Sequence, residues 1–284
     1  MIAARLLDVG RMAPWSLHAA YAGIAQAAGA DSPPTLLWGS APAHLCLGQG
    51  LSASRELAPR IEVPVVRRPL GGGTVWVDED QLVYALIVPL SHAPRRPADW
   101  SAWALRPALA TFRALGLDVE RRGEDLWLRG RKIAGAGAAT IDACAVFASS
   151  FLMHFPRERF AACMAGSADF RSWLDAGLAA TMTEWAEHAP VPAAADLRAA
   201  FCGAVESILG WRLSPAAMTA AESSAMDEAR LDMQDDGCDS GRRTLRGGLK
   251  LNAESHLVER DEDGRRIREL VVRGMVARRA VTTV

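Results

Sequence analysis

The sequence predicts an α/β fold, and three observations carry the prediction. Short apolar and β-branched runs, punctuated by glycine and proline, fill the first half of the 284-residue chain. Alanine-rich segments follow from residue 157 to 231, with apolar residues spaced near 3.6 apart. The tail then closes with two strand-like runs around a D-E-D-G turn.

Taken in order, Pro14 to Ala28 reads as a helix, ended by Gly29 and the turn-forming DSPP run. TLLW (Thr35–Trp38), HLCLG (His44–Gly48) and IEVPVVRR read as strands, and a triple glycine, Gly71–Gly73, leads into TVWV. After the acidic turn DED comes the strand LVYALIVPL. Ala98 to Leu115 reads as a helix closed by Gly116. Leu117–Arg121 and Leu126–Leu128 are expected strands, GRKIAGAGAA continues extended, and an apolar segment runs from Ala143 to Phe155. Helices are expected over 157–165, 171–186, 194–209 and 214–231. QDDGCDSGRR (234–243) is a linker by composition, which divides the chain into a domain over 1–233 and a small β-hairpin extension over 234–284.

Composition excludes several classes. Half the residues are apolar and 23% are charged, the balance of an ordinary globular protein. The formal net charge of −1 favours neither nucleic acid nor an anionic membrane. The five cysteines are scattered and contain no C-x-x-C pair, so neither a disulfide framework nor a zinc site is expected. The six histidines stand apart with no metal-ligand spacing, and no metal site is expected from them. Arg5, Asp8 and Arg11 interrupt the first residues too early for a signal peptide. No apolar stretch approaches the roughly 20 residues that cross a bilayer. A reducing cytoplasm is the expected compartment.

Two segments carry chemistry. In RRPLGGGTVWVDEDQLVYALIVPL (67–90), three glycines stand between strands that glycine weakens. They permit positive φ or a close backbone approach, and their amides can bind a carboxylate or phosphate. The preceding arginines, Arg68 among them, add charged donors. A tight turn or bulge without a ligand is the alternative. In EDLWLRGRKIAGAGAAT (124–140), Lys132 follows a glycine turn and precedes Gly135 and Gly137, with only small residues between the glycines. An ammonium in such open space can hold a developing negative charge. The alternative is a solvated surface lysine.

Together these segments resemble the lipoate–protein ligase and octanoyltransferase superfamily. RRPLGGGTVWVDEDQLVYALI is similar to R-R-x-x-G-G-G-[AT]-V-[FY]-H-D-x-G-N-L-N-[FY]-S, and GRKIAGAGA to G-R-K-[IV]-[SA]-G-[SN]-A. PPTLLW, HLCLGQ and PRERFAACM extend the resemblance over about residues 14 to 212. The resemblance implies a mixed β-sheet flanked by helices, a catalytic fold shared with biotin–protein ligases. It implies that Lys132 is catalytic, and that Arg68, Gly71, Gly72, Gly73, Asp125 and Gly135 bind the acyl group or its adenylate. ATP and Mg2+ are the implied cofactors. Lipoate or octanoate is the implied acid, and a lipoyl carrier domain or glycine-cleavage H-like protein the implied acceptor. The sequence also departs from the pattern: Val77 stands for His, Gln81 for Asn, Ala148 and Ser149 for H-G, and Glu124 for Asn.

Two reactions run on this scaffold. A ligase activates a free acid with ATP as acyl-AMP and passes the acyl group to a carrier lysine. A transferase takes it from a carrier thioester through a cysteine thiolate. Cys163 lies 31 positions after Lys132 but in a helical run, and Cys144 has no basic neighbour in sequence. The ligase is therefore the preferred reading. The transferase, through Cys163 or Cys144, and a non-catalytic protein that binds a lipoyl carrier remain the alternatives. The terminal hairpin weakly resembles a reduced ligase accessory domain, or else caps a sheet edge.

Overall fold

The computed structural model describes residues 1–234 and 248–283. In chain order its elements are β1 (Ile2–Arg11), α1 (Pro14–Ala27), β2 (Thr35–Ser40), β3 (His44–Leu47), α2 (Ala53–Glu56), β4 (Val65–Arg67), β5 (Val75–Val77), β6 (Leu82–Pro89) and α3 (Trp100–Ala114). They continue with β7 (Glu120–Arg122), β8 (Asp125–Leu128), β9 (Arg131–Ile141), β10 (Cys144–Phe151), α4 (Arg157–Ala162), α5 (Ala168–Thr181), α6 (Ala194–Leu209), β11 (Trp211–Pro215) and α7 (Ala220–Gln234). The tail holds β12 (Gly248–Lys250), β13 (Ser255–Glu262), β14 (Arg265–Val272) and β15 (Met275–Thr283).

Eight strands form one mixed sheet in the order β11-β1-β2-β6-β10-β9-β8-β7. β1 runs parallel to both β11 and β2, while β2, β6, β10, β9 and β8 pair antiparallel. Both faces of the sheet are covered. On one, Phe112 of α3 and Phe201 of α6 pack with Tyr84 and Phe151 of the sheet. On the other, α1 and α7 pack so closely that a Cβ on Gly23 would meet the Met226 backbone nitrogen at 2.3 Å. A third cluster joins the small sheet β4-β3-β5 to α4, α5 and the four-stranded tail sheet through Leu45, Trp76, Phe170, Leu174, Leu257 and Leu270. No helix among the described residues is long and apolar enough to cross a membrane.

The structure corrects four readings of the sequence. β1 was not expected: its Arg5, Asp8 and Arg11 break any clear alternation, and it is held by parallel neighbours far away in sequence. The expected helix from 214 begins instead at Ala220, because Trp211–Pro215 is drawn into the sheet beside β1. The expected helix 171–186 ends at Thr181, where the chain turns to pair its backbone with Lys132. The terminal hairpin is a four-stranded antiparallel sheet, since Arg273–Gly274 makes a second turn with positive φ at both residues. The 234–243 linker, apart from Gln234 at the end of α7, lies outside the described residues.

Candidate active site

A cavity of about 400 Å³ opens between the glycine loop, β9, β10 and the start of the tail sheet. Arg68, Gly71, Gly72, Gly73, Asp125, Lys132 and Gly135 all line it. Residues separated by more than sixty positions thus share one wall.

Lys132 owes its position to a tight hairpin. Arg129 and Gly130 both take positive φ, the requirement of a two-residue turn between β8 and β9. A register shift between Leu126 and Trp127 then sets Asp125 opposite Gly135. The Lys132 backbone is fixed from outside the sheet, since its carbonyl accepts from the Thr183 amide at 2.8 Å. Its ammonium meets Asp125 Oδ1 at 2.9 Å. A Cβ on Gly135 would lie 2.4 Å from Lys132 Nζ and 2.9 Å from Asp125 Oδ1, so the pair needs glycine there. Among the described residues Asp125 is the one partner of that ammonium, which leaves two of three N–H donors for a ligand.

Asp125 has a second bond. Its Oδ2 accepts from the Ala253 amide at 2.8 Å, and Asn252 Nδ2 donates to the Thr181 carbonyl at 3.3 Å. Lys250, Leu251, Asn252 and Ala253 therefore complete the cavity wall. These tail residues were missed in the sequence. Their approach to Asp125 spans 128 positions and leaves no local signal.

Arg68 shapes the loop. Its Nη2 donates to the carbonyls of Gly71 at 2.8 Å and Gly73 at 2.9 Å, and its Nη1 to the Cys46 carbonyl at 3.0 Å. Gly72, at φ +106°, sits in a conformation other residues avoid, and a Cβ there would meet Arg68 Nη2 at 2.7 Å. A Cβ on Gly48 would lie 2.0 Å from the Gly72 carbonyl oxygen, so β3 and the loop are in backbone contact.

The far end of the cavity holds a cluster that sequence spacing did not disclose. His18, Tyr21, Cys46 and Arg68 line it, with His44 behind. His44 Nδ1 lies 2.7 Å from the Pro42 carbonyl, which can only accept, so Nδ1 carries the proton. Burial first, and His18 second, push His44 down to about 3, so it is neutral and its Nε2 accepts from His18 Nε2 at 2.9 Å. His18, lowered to about 3 by burial and then by Arg68, is neutral too, and its Nδ1 accepts the Tyr21 hydroxyl at 3.1 Å. The hydrogen-bond network assigns these tautomers. Cys46 Sγ takes a bond from Arg68 Nη1 at 3.5 Å and lies 4.0 Å from His18 Nδ1. Burial pushes its thiol up despite Arg68. The one sequence signal was His18 itself, a polar residue on the apolar face of α1.

Neither cysteine proposed for transferase chemistry lines the cavity. Cys144 is buried on another face beside Asp142, its thiol pushed up to about 11 by burial and then by that carboxylate. Cys163 caps α4, and burial raises its thiol as well. Among the described residues no group of three or more His, Cys, Asp or Glu could hold a metal ion. Of the departures from the expected pattern, Val77, Gln81, Glu124, Ala148 and Ser149 all line the cavity. Gln81 donates to the Trp76 carbonyl at 3.0 Å, and Ser149 to the Gly135 carbonyl at 2.7 Å.

Known structures share this architecture. A bi-partite lipoate protein ligase from Thermoplasma acidophilum superposes with a TM-score of 0.75 at 18% identity, covering 84% of this chain and 94% of that one. Lipoate-protein ligase A bound with ATP gives 0.70 at 17%, covering 85% and 97%. LipL1 of P. falciparum in complex with lipoate gives 0.65 at 10%, covering 99% and 84%. No curated protein matches the chain by sequence. The sequence pattern of the lipoyl protein ligase A/B catalytic domain matches residues 17–206, about two thirds of the chain, and the protein belongs to that family.

Proposed function

We propose that this protein is a lipoate–protein ligase-like enzyme. It activates lipoate or a related medium-chain acid with ATP and passes the acyl group to a lysine of a lipoyl carrier domain. The observation that carries the reading is the Lys132 ammonium, anchored at 2.9 Å on Asp125 and keeping two donors for a ligand. A fixed cation in a partly closed site stabilises negative charge as it develops on an acyl oxygen or a phosphate. The relatives add support: one similar structure is bound with ATP, another is in complex with lipoate, and a third belongs to an archaeal lipoylation system of a ligase and its E2 lipoyl domain.

The residues divide the work. Lys132 faces the acid's carboxyl group and the phosphate that activates it. Asp125 positions Lys132, and through Ala253 it brings the tail sheet to the same place. Gly71, Gly72 and Gly73, their loop braced by Arg68, admit the acyl chain without side chains in its way. ATP supplies the leaving group that a free carboxylate lacks, and the donors of Lys132 and the loop amides fit its phosphates. The fit for Mg2+ is poorer, because both Asp125 oxygens are already engaged. No step is assigned to the metal, which typically binds through nucleotide phosphates with one or two carboxylates. Residues 1–233 form the catalytic unit in this reading, with 234–284 as its accessory extension. A glycine-cleavage H-like protein is a second candidate acceptor. The scattered cysteines keep a reducing cytoplasm as the expected setting.

The transferase alternative loses ground because Cys144 and Cys163 lie away from the cavity. Isothermal titration and a pyrophosphate assay test the ligase reading. Lipoate or octanoate should bind, and adding ATP should release pyrophosphate only when the acid is present. Binding without acid-dependent pyrophosphate release would remove the ligase and favour the transferase or a carrier-binding protein.

A further inference from the structure

On the ATP-dependent reading above, we propose that Lys250 is a second substrate-binding cation, one that shares the polyphosphate of the nucleotide with Lys132.

The chain is sparing with lysine. Of its 32 basic residues only two are lysines, Lys132 and Lys250. Both line the cavity, and among the described residues Arg68 is the one arginine beside them. Elsewhere the protein uses arginine for every cation, a residue that pairs with carboxylates through a planar fork. Lysine offers something different: a compact point charge with three donors on a single atom, suited to phosphate oxygens that lie in several directions.

The fold brings Lys250 to the site from a distant part of the chain. Lys250 ends β12, between Leu249 and Leu251, which are buried in the core beneath the tail sheet. Alternation along the strand turns Lys250 to the other side, where it is exposed and lines the cavity. The turn that follows is pinned twice. Asn252, 2% exposed, donates from Nδ2 to the Thr181 carbonyl at 3.3 Å, and its Oδ1 accepts the Glu254 amide at 2.9 Å. That Asx turn presents the Ala253 amide to Asp125 Oδ2 at 2.8 Å, and Asp125 Oδ1 meets Lys132 Nζ at 2.9 Å. Lys250 stands three residues before Ala253, so its backbone lies no more than about 10 Å from that amide. Lys132 spends one donor on Asp125, whereas Lys250 has no carboxylate partner among the described residues. A polyanion held between them would give Lys250 its counterion, and a triphosphate is long enough to reach both.

ATP and inorganic tripolyphosphate are the probes, titrated calorimetrically without acid into the full chain, Lys250→Ala and Lys250→Arg. Lys250→Ala should weaken both anions by roughly tenfold or more, the loss of one charge-assisted contact, and Lys250→Arg should recover part of it. Lipoate or octanoate, titrated without nucleotide, should bind Lys250→Ala within about twofold of wild type, and the KM for ATP should rise while that for the acid holds. A merely structural Lys250 would weaken acid and nucleotide together. A second measurement needs no variant. Because the chain has two lysines, a pulse of acetic anhydride read by peptide mass spectrometry reports on each, and ATP should protect Lys250 along with Lys132. Unchanged ATP affinity in Lys250→Ala, equal losses for acid and nucleotide, or a Lys250 left unprotected while Lys132 is shielded overturns the assignment and leaves the ligase reading standing. If wild type binds neither ATP nor tripolyphosphate, the ligase reading falls and the role of Lys250 falls with it.

Discussion

The two ends of the cavity differ in how they handle charge. At the Lys132 end an ion pair is kept, with the lysine side chain 17% exposed and two of its donors open. At the Tyr21 end two histidines are forced to stay neutral, and their protons are locked into a one-way relay. Burial explains both. At the Lys132 end the ammonium and Asp125 stand 2.9 Å apart, each the other's counterion, with the lysine side chain still partly open to solvent. A histidine sealed in the interior without a carboxylate gives up its proton. The first arrangement suits chemistry in which charge appears and disappears. The second suits a fixed wall, whose pattern of donors and acceptors does not change.

The contrast can be broken most severely at the charged end. Lys132→Ala should cut acyl transfer by about a hundredfold to a thousandfold, roughly 2.7–4 kcal/mol, the loss seen when one donor to a developing charge is removed. Circular dichroism should show the fold retained. Activity within threefold of wild type would deny Lys132 its role.

Between the two ends, Gly72→Val should abolish measurable lipoate or octanoate binding. The backbone there is at φ +106°, and a Cβ would meet Arg68 Nη2 at 2.7 Å. The loop must shift, and the Arg68 bonds to Gly71 and Gly73 shift with it. Titration of the variant checks this, and normal binding would place the acyl chain elsewhere.

The neutral end leaves its mark on stability. His18 and His44 sit near 3 when folded and near 6.5 when unfolded. Below pH 6.5 the unfolded chain therefore binds protons that the folded one refuses, and stability falls as pH drops towards 3. Each histidine contributes up to about 1.4 kcal/mol per pH unit within that window. Urea unfolding between pH 6.5 and 5.5, above most carboxylate titrations, should show the decline, and His18→Asn should make it shallower, leaving the share of His44. A flat wild-type profile over that range would mean the histidines are not held neutral.

The smallest effect is expected outside the cavity. Cys144→Ser and Cys163→Ser, singly or together, should leave acyl transfer within about twofold of wild type, because neither residue lines the cavity. An acyl-enzyme trapped on Cys163 would reverse the assignment of mechanism.

The sequence disclosed these ends unequally. Lys132, Gly135 and the triple glycine were legible because these loops concentrate unusual residues locally, with Gly72 and Gly130 at positive φ and a lysine among small neighbours. The Tyr21 end was not. His18 and His44 are 26 positions apart, on a helix and a strand, and only packing brings them within 2.9 Å. The same division holds for the fold. Antiparallel neighbours such as β8 and β9 announce themselves by their turn, whereas β1 and β11 pair across some 200 residues and were missed. The contact of Ala253 with Asp125 belongs to this second kind. It makes the tail sheet part of the site, where the sequence suggested a hairpin that resembles a reduced accessory domain or caps a sheet edge.

Intact-mass spectrometry of a lipoyl carrier domain tests ATP-driven acylation guided by Lys132. The domain is incubated with the protein, the acid and ATP, and in parallel with an acyl-carrier thioester and no ATP. The expected result is one acyl mass added to a carrier lysine in the ATP reaction alone, and none with Lys132→Ala. Acylation from the thioester without ATP, with the acyl group passing through a cysteine of the enzyme, would contradict it.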